Sequence, residues 1–256
     1  MRADKYFSEK FGSRTKASDA LKKGLVLRHG KVLSPDDEVF EGDEFCFLSV
    51  QSQFVSNGGY KLARGLDEFK ESVSGGVFAD LGASTGGFTD CLLQRGAKQV
   101  FCVDVGESQL APALKSDKRV VVMDGVNARF LTKDSFPVPL DGVVSDLSFI
   151  SLRLVLPAVK DLLADGGRAF VLFKPQFECG RSGLGKSGIC PRRLHGGLLA
   201  DFYDFCVALD LAPEKIVNAP VRPKKNIEYV LLLRKGAPSA DKLAFLKSAE
   251  QLYEER

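Results

Sequence analysis

The chain has 256 residues, 45% of them hydrophobic and 27% charged, and a net charge of +3. That composition excludes a disordered or collagen-like chain and allows one core of ordinary size plus a small appended module. No apolar run reaches a membrane span, and the N-terminal MRADKYFSEK has no apolar signal core, so a cytoplasmic protein that does not enter the membrane is expected. The six cysteines (46, 91, 102, 179, 190 and 206) form no C-x-x-C pair, and only two histidines are present. Buried thiols in a reducing compartment are expected, without disulfides or a metal centre.

Charge is unevenly spread. Residues 1–31 carry nine Lys/Arg against three Asp/Glu, whereas residues 32–50 carry six acids and no base. In chain order, Tyr6, Phe7 and Phe11 have near-helical spacing. Ser13 can cap a second short helix through Leu21, and Gly24 can end it. GLVLRHGKVL reads as strand, turn at Gly30, strand, and EVFEGDEFCFL adds a further alternating segment. Residues 1–48 thus form a small α+β domain, followed by a polar linker at 49–57 and a second domain from 58 to 256.

The rhythm then changes. GGVFADLGA, KQVFCVDVG, RVVVMDG and DGVVSDLSF are apolar strands ending in Asp80, Asp104, Asp124 and Asp146. RAFVLFKPQF is a fifth, ending in Lys174, and IEYVLLLRK is a later one that starts beside Glu228. Helices are predicted at 86–95, 153–164 and 196–210, and from Asp241 onward. A Gly-rich basic loop is predicted over 178–194. Strands alternating with helices imply an α/β fold with a Rossmann-like, doubly wound, mostly parallel sheet. Its functional residues should gather at the strand ends.

The turn GASTGG between the first strand and its helix frees backbone N–H groups and admits a close ligand. It lacks the G-K-[ST] of a phosphate loop, and its spacing of Gly82, Gly86 and Gly87 is not G-x-G-x-x-G. A nucleoside cofactor without a pyrophosphate remains, and S-adenosylmethionine fits. Asp80, Gly82, Ala83, Ser84, Thr85, Gly86, Gly87 and Phe88 are expected to hold its amino-acid end. Asp104 and Val105 would serve its ribose, Asp124 its adenine amino group, and Asp146 would line the same site.

Lys61, Asp146, Lys174 and Glu228 together resemble the Lys-Asp-Lys-Glu set of ribose 2′-O-methyltransferases. A ribose hydroxyl is a poor nucleophile and must lose its proton as it attacks. A lysine in a dry pocket beside another cation can take that proton. Lys174 is the expected base, with Lys61 beside it and Asp146 and Glu228 orienting both lysines.

In order along the chain, DLGASTGGFTDCLL, VDVG, SDLSFISL, LFKPQFE and NIEY resemble the TlyA, or haemolysin A-like, family. These are ribosomal RNA 2′-O-methyltransferases with an FtsJ-like catalytic domain. SRTKASDALKKGLV and GKV resemble the S4-type RNA-binding domain that precedes it. The resemblance implies methylation of a cytidine 2′-hydroxyl of rRNA within ribosomal subunits. Family members differ in whether they act on one subunit or both, and here the large subunit is the favoured expectation with the small subunit as the alternative. Two segments depart from the family pattern. Asn57 replaces an arginine in FVSNGGYKL, removing a phosphate contact, and Pro223 alters the turn in APVRPKKNIEY.

Arg2, Lys5, Arg14, Lys16, Lys22, Lys23 and Lys31 are the expected phosphate contacts of the small domain. Residues 168–193 and 215–235 each add six Lys/Arg against a single acid. Basic zones flanking a pocket suit a large folded RNA better than a small methyl acceptor. A non-catalytic RNA-binding protein with an inherited cofactor fold is the rival reading, and the intact set of four polar residues argues against it.

Overall fold

The computed structural model describes residues 1–256 except 23, 41, 48–52, 186, 221–224 and 255–256. The chain divides into two units, Met1–Gln53 and Phe54–Arg256.

The small unit packs two helices, α1 (Ala3–Tyr6) and α2 (Arg14–Lys22), on a three-stranded antiparallel sheet. Its strands are β1 (Val26–Arg28), β2 (Lys31–Val32) and β3 (Phe45–Phe47), in the order β2-β1-β3. The expected hairpin forms because His29 (φ 49°) and Gly30 (φ 77°) both take the left-handed backbone that a two-residue turn requires. Ser13 Oγ accepts from Lys16 N–H at the start of α2, and Gly24 (φ 70°) follows its end. Phe7, Ala17, Leu21, Val26, Leu33 and Val39 make the core, and Phe45 and Phe47 present their rings edge-on to Phe7.

In the larger unit, alternating side chains decide the layering. A strand sends successive residues to opposite faces. Phe78, Val100, Cys102, Val144, Phe170 and Leu172 therefore join one core, and Ala79, Phe101, Val103, Val143, Ala169 and Val171 the other. Helices α3 (Asn57–Phe69) and α4 (Gly87–Gln94), with the short α5 (Pro112–Lys115), cover the first face. Helices α6 (Leu156–Leu162), α9 (His195–Ala208) and α10 (Lys242–Glu254) supply the second. Two single turns, α7 (Pro175–Glu178) and α8 (Gly180–Gly183), lie between α6 and α9 in sequence.

The sheet contains β4 (Val77–Leu81), β5 (Gln99–Asp104), β6 (Val120–Asp124), β7 (Leu140–Ser145), β8 (Leu163–Phe173), β9 (Leu211–Asn218) and β10 (Tyr229–Lys235). Their order is β6-β5-β4-β7-β8-β10-β9. β4 to β8 pair in parallel, and β10 runs antiparallel to both β8 and β9. This is the mostly parallel, Rossmann-like sheet expected. Its order reverses between β4 and β7, which places a ligand crevice at their carboxyl ends.

The structure departs from the sequence expectations at five places. The larger unit begins at Phe54, so the second half of the expected linker belongs to it. Phe54 is buried and packs against Tyr60, and Val55 N–H donates to Asp90. Residues 57–69, for which no helix is expected, are helical. Strand β9 carries Pro213, which an edge strand tolerates because it lacks a neighbour on one side. The helix expected over 153–164 is shorter, because Leu163 already pairs with Leu140. Finally, Cys91, Cys102, Cys190 and Cys206 are buried as expected, but Cys46 is exposed and Cys179 half-buried.

Candidate active site

Helix α3 brings Lys61 to the sheet. Leu62, Leu66 and Phe69 bury its apolar stripe. Gly65 lies so close to β10 that a Cβ there would meet Val230 Cγ1 at 2.6 Å. Gly87, the first residue of α4, faces the start of α3, where a Cβ would lie 2.9 Å from the Gly59 nitrogen. The glycines that weaken a helical reading of this sequence are the ones that let α3 dock.

Four expected catalytic residues meet at the carboxyl edge of the sheet. Lys174 follows β8, Asp146 follows β7, and Glu228 precedes β10. Because β10 is reversed, its start lies at the same edge as the ends of β7 and β8. Lys174 Nζ is 2.6 Å from Asp146 Oδ1 and donates to Ser148 Oγ at 2.9 Å. Asp146 Oδ2 is 3.4 Å from Lys61 Nζ, which donates to Glu228 Oε2 at 2.7 Å. Gln176 Nε2 donates to Glu228 Oε1 at 3.2 Å. The result is an unbroken Lys-Asp-Lys-Glu chain of alternating charge. Lys174 is only 5% exposed, so its charged form depends on these partners.

Two cavities meet there. One of about 290 Å³ is lined by Ser56, Gly58, Asp80, Gly82–Thr85, Gly87, Phe88 and the four charged residues. The other, about 540 Å³, is lined by Asp104, Val105, Gln109, Val126–Ala128 and Leu147–Ile150, among others. Gly82, Ser84, Asp146 and Ser148 belong to both. Asp80 is fully buried on the first cavity. Thr89 donates to its Oδ2 through N–H (3.0 Å) and Oγ1 (2.7 Å). Its Oδ1 has no hydrogen-bond partner among the described residues. Burial pushes the Asp80 carboxyl up to about 7. Asp104 holds the glycine turn in place: Oδ2 accepts from Ser84 N–H and Oδ1 from Gly106 N–H, both at 2.8 Å. Ser84 itself is left-handed (φ 47°).

Two expected cofactor contacts stand elsewhere. Asp124 is exposed at the end of β6, outside both cavities, and accepts from Ser108 N–H. The position facing the cavity is Asn127, three residues on. Gly86 lines neither cavity. Its φ of 94° makes the turn into α4, and Leu110 and Leu114 lie against it. The sequence reading missed Ser56, Gly58, Gln109, Asn127 and Ser148. Ser148 lies inside SDLSF, and Ser56 and Gly58 inside FVSNGGYKL, segments already singled out.

In the small unit, Lys5, Lys16, Lys22 and Lys31 are exposed, and Lys23 lies outside the described residues. Arg2 and Arg14 are not simple surface cations. Both pair with Asp4, a carboxylate 5% exposed, and Arg2 also reaches Asp36. Hydrogen bonds from Arg2, and then Arg14, hold the Asp4 carboxyl down at about 2.

Comparison with known proteins agrees with this geometry. Residues 54–235 match the model of the FtsJ-like methyltransferases. The chain is 47% identical over 230 residues to the 16S/23S rRNA (cytidine-2′-O)-methyltransferase TlyA of Mycobacterium tuberculosis, covering 87% of this chain and 84% of that one. It is 29% identical over 204 residues to the 23S rRNA (cytidine-2′-O)-methyltransferase TlyA of Campylobacter jejuni, covering 71% and 78%. A solved structure described as a candidate hemolysin from Streptococcus thermophilus superposes with a TM-score of 0.77 at 33% identity, covering 100% of this chain and 97% of that one. No helix among the described residues is long and apolar enough to cross a membrane. With a family match across the larger unit and TlyA relatives across most of its length, the chain belongs to the FtsJ-like methyltransferases.

Proposed function

We propose that the chain transfers a methyl group from S-adenosylmethionine to the ribose 2′-hydroxyl of a cytidine in ribosomal RNA, that of the large subunit. The observation that carries this reading is the Lys174–Asp146–Lys61–Glu228 chain at the junction of two cavities. The large subunit is favoured because both TlyA relatives carry 23S rRNA in their names.

The residues present fit the cofactor. The orphaned Asp80 Oδ1 on the first cavity suits an ammonium group, and Asp104 retains lone pairs for ribose hydroxyls. Asn127, rather than Asp124, is placed for the base. When bound, S-adenosylmethionine supplies a methyl group activated by its sulfonium. Lys174, in its neutral form, accepts the proton of the 2′-hydroxyl as that oxygen gains the methyl group. Asp146 holds both lysines in register. Lys61 and Glu228 orient the ribose, so that much of the catalysis is alignment.

Residues 1–48 act as the S4-type RNA-binding domain, with Lys5, Lys16, Lys22 and Lys31 as phosphate contacts. Arg2 and Arg14 serve it chiefly by holding Asp4. The protein works in the cytoplasm, where ribosomal subunits are found. Incubation with radiolabelled S-adenosylmethionine and unmodified small subunits, large subunits or whole ribosomes tests the proposal. Label on large-subunit RNA, absent with Lys174→Ala, is the expected result. Label on no particle, with cofactor binding intact, overturns it.

A further inference from the structure

A lysine that acts as a base must present a lone pair in one direction. A neutral amine has two N–H bonds and one lone pair, and it turns freely about its last C–N bond unless an N–H bond is held. Lys174 Nζ has two fixed oxygen neighbours, Asp146 Oδ1 at 2.6 Å and Ser148 Oγ at 2.9 Å. Asp146 Oδ1 is an ion-pair contact without hydrogen-bond geometry, so by itself it leaves the amine free to turn. Ser148 Oγ accepts an N–H of Lys174 and stops that rotation, and the nearby carboxylate repels the lone pair from its own side. Ser148 borders both cavities, so its oxygen lies where cofactor and ribose would meet.

The chain holds Ser148 firmly. Asp146, two residues before it, is tied to Lys174 and Lys61. Beyond it, Glu178 accepts from Ser151 Oγ at 2.7 Å and Leu152 N–H at 2.8 Å, fastening the loop to α7, the turn directly after Lys174. Between these anchors Phe149 takes a left-handed backbone (φ 65°). A bulky residue pays for that conformation, and such strain persists only where the surroundings enforce it. One short loop thus delivers an ion-pair partner and a hydrogen-bond acceptor to one amine.

We propose that Ser148 is a positioning residue for Lys174, restricting the direction of its lone pair by accepting one N–H. The proposal rests on the 2′-O-methyltransferase reading above. Single-turnover methyl transfer by Ser148→Ala and Ser148→Thr, measured across pH, tests it. The alanine variant should lose about tenfold in rate, the loss of one hydrogen bond to the reacting amine, with an altered pH profile. Its cofactor and RNA affinities should stay at the parent's values, and the threonine variant should recover most of the rate. An alanine variant within twofold of the parent at every pH overturns the proposal. If the parent transfers no methyl group to any ribosomal particle, the functional reading fails instead. NMR of the Lys174 side-chain nitrogen, recorded against pH on the full chain, then decides the role of Ser148. An unchanged titration in Ser148→Ala overturns it, and a changed one supports it.

Discussion

Around Lys174 each charged side chain has an opposite partner within 3.4 Å, whereas on the neighbouring strand Asp80 is fully buried and has no cation beside it. Both regions bring charge under the surface of one sheet, and they treat it differently. The tetrad balances itself, so it is complete before anything binds. The Asp80 carboxyl has no cation among the described residues to pair with. The first region is built to hold geometry and the second to be filled.

Substitution on each side should therefore have opposite effects on stability. Lys61→Met strips Glu228 of its salt-bridge partner and leaves Asp146 with Lys174 alone. Methyl transfer should fall by at least about 100-fold, and thermal unfolding should show a loss of about 1–2 kcal/mol, between the worth of an exposed pair and the cost of breaking a buried one, because these side chains are half-buried. Asp80→Asn removes a charge that has no partner, so the ligand-free protein should melt at or above the parent's temperature. Its cofactor affinity, measured by calorimetry, should drop about 30-fold with the loss of one charge-assisted hydrogen bond. A large drop in melting temperature for Asp80→Asn would erase the contrast.

The pH dependence sharpens it further. The folded Asp80 carboxyl titrates at about 7, above its ordinary value. Its contribution to stability is therefore full below the unfolded value near 4 and is lost as pH rises through about 7. Cofactor binding has the opposite sign, since an ammonium pairs with the ionised form. Affinity should rise about tenfold between pH 6 and pH 8, with proton release visible in buffers of different ionisation enthalpy. In Asp80→Asn that rise should vanish.

The smallest effect is expected in the small unit. Lys16→Glu with Lys22→Glu should weaken binding to ribosomal RNA several-fold at moderate salt and flatten the salt dependence by about two phosphate contacts. Cofactor affinity should not move. Arg14→Glu should behave differently, because Arg14 also holds Asp4. It should lower the melting temperature of the small unit as well as RNA affinity, an outcome readable by hydrogen exchange.

What could be read in the sequence follows from the same physics. An apolar run closed by Asp80, Asp104 or Asp146 announces a buried strand and its functional end together, so the core of the site was legible. Helix α3 was not, because Gly58, Gly59 and Gly65 look like breaks until Phe54 and Val230 are seen filling the space beside Gly59 and Gly65. Asp124 is expected at the cofactor because a strand's last acid commonly faces the crevice. β6 is an edge strand, and its final carboxylate caps the Ser108 turn instead. Arg2 and Arg14 read as phosphate ligands because their partner, Asp4, is an acid within the basic segment and its burial is visible only in three dimensions.

The reversed strand β10 carries a consequence for biosynthesis. It inserts between β8 and β9, although β9 leaves the ribosome first. Throughout that interval β9 has no neighbour to pair with, and the gap beside β8 must stay open. Glu228 arrives with the strand that closes it. The Lys-Asp-Lys-Glu chain is thus completed by the strand that closes the sheet.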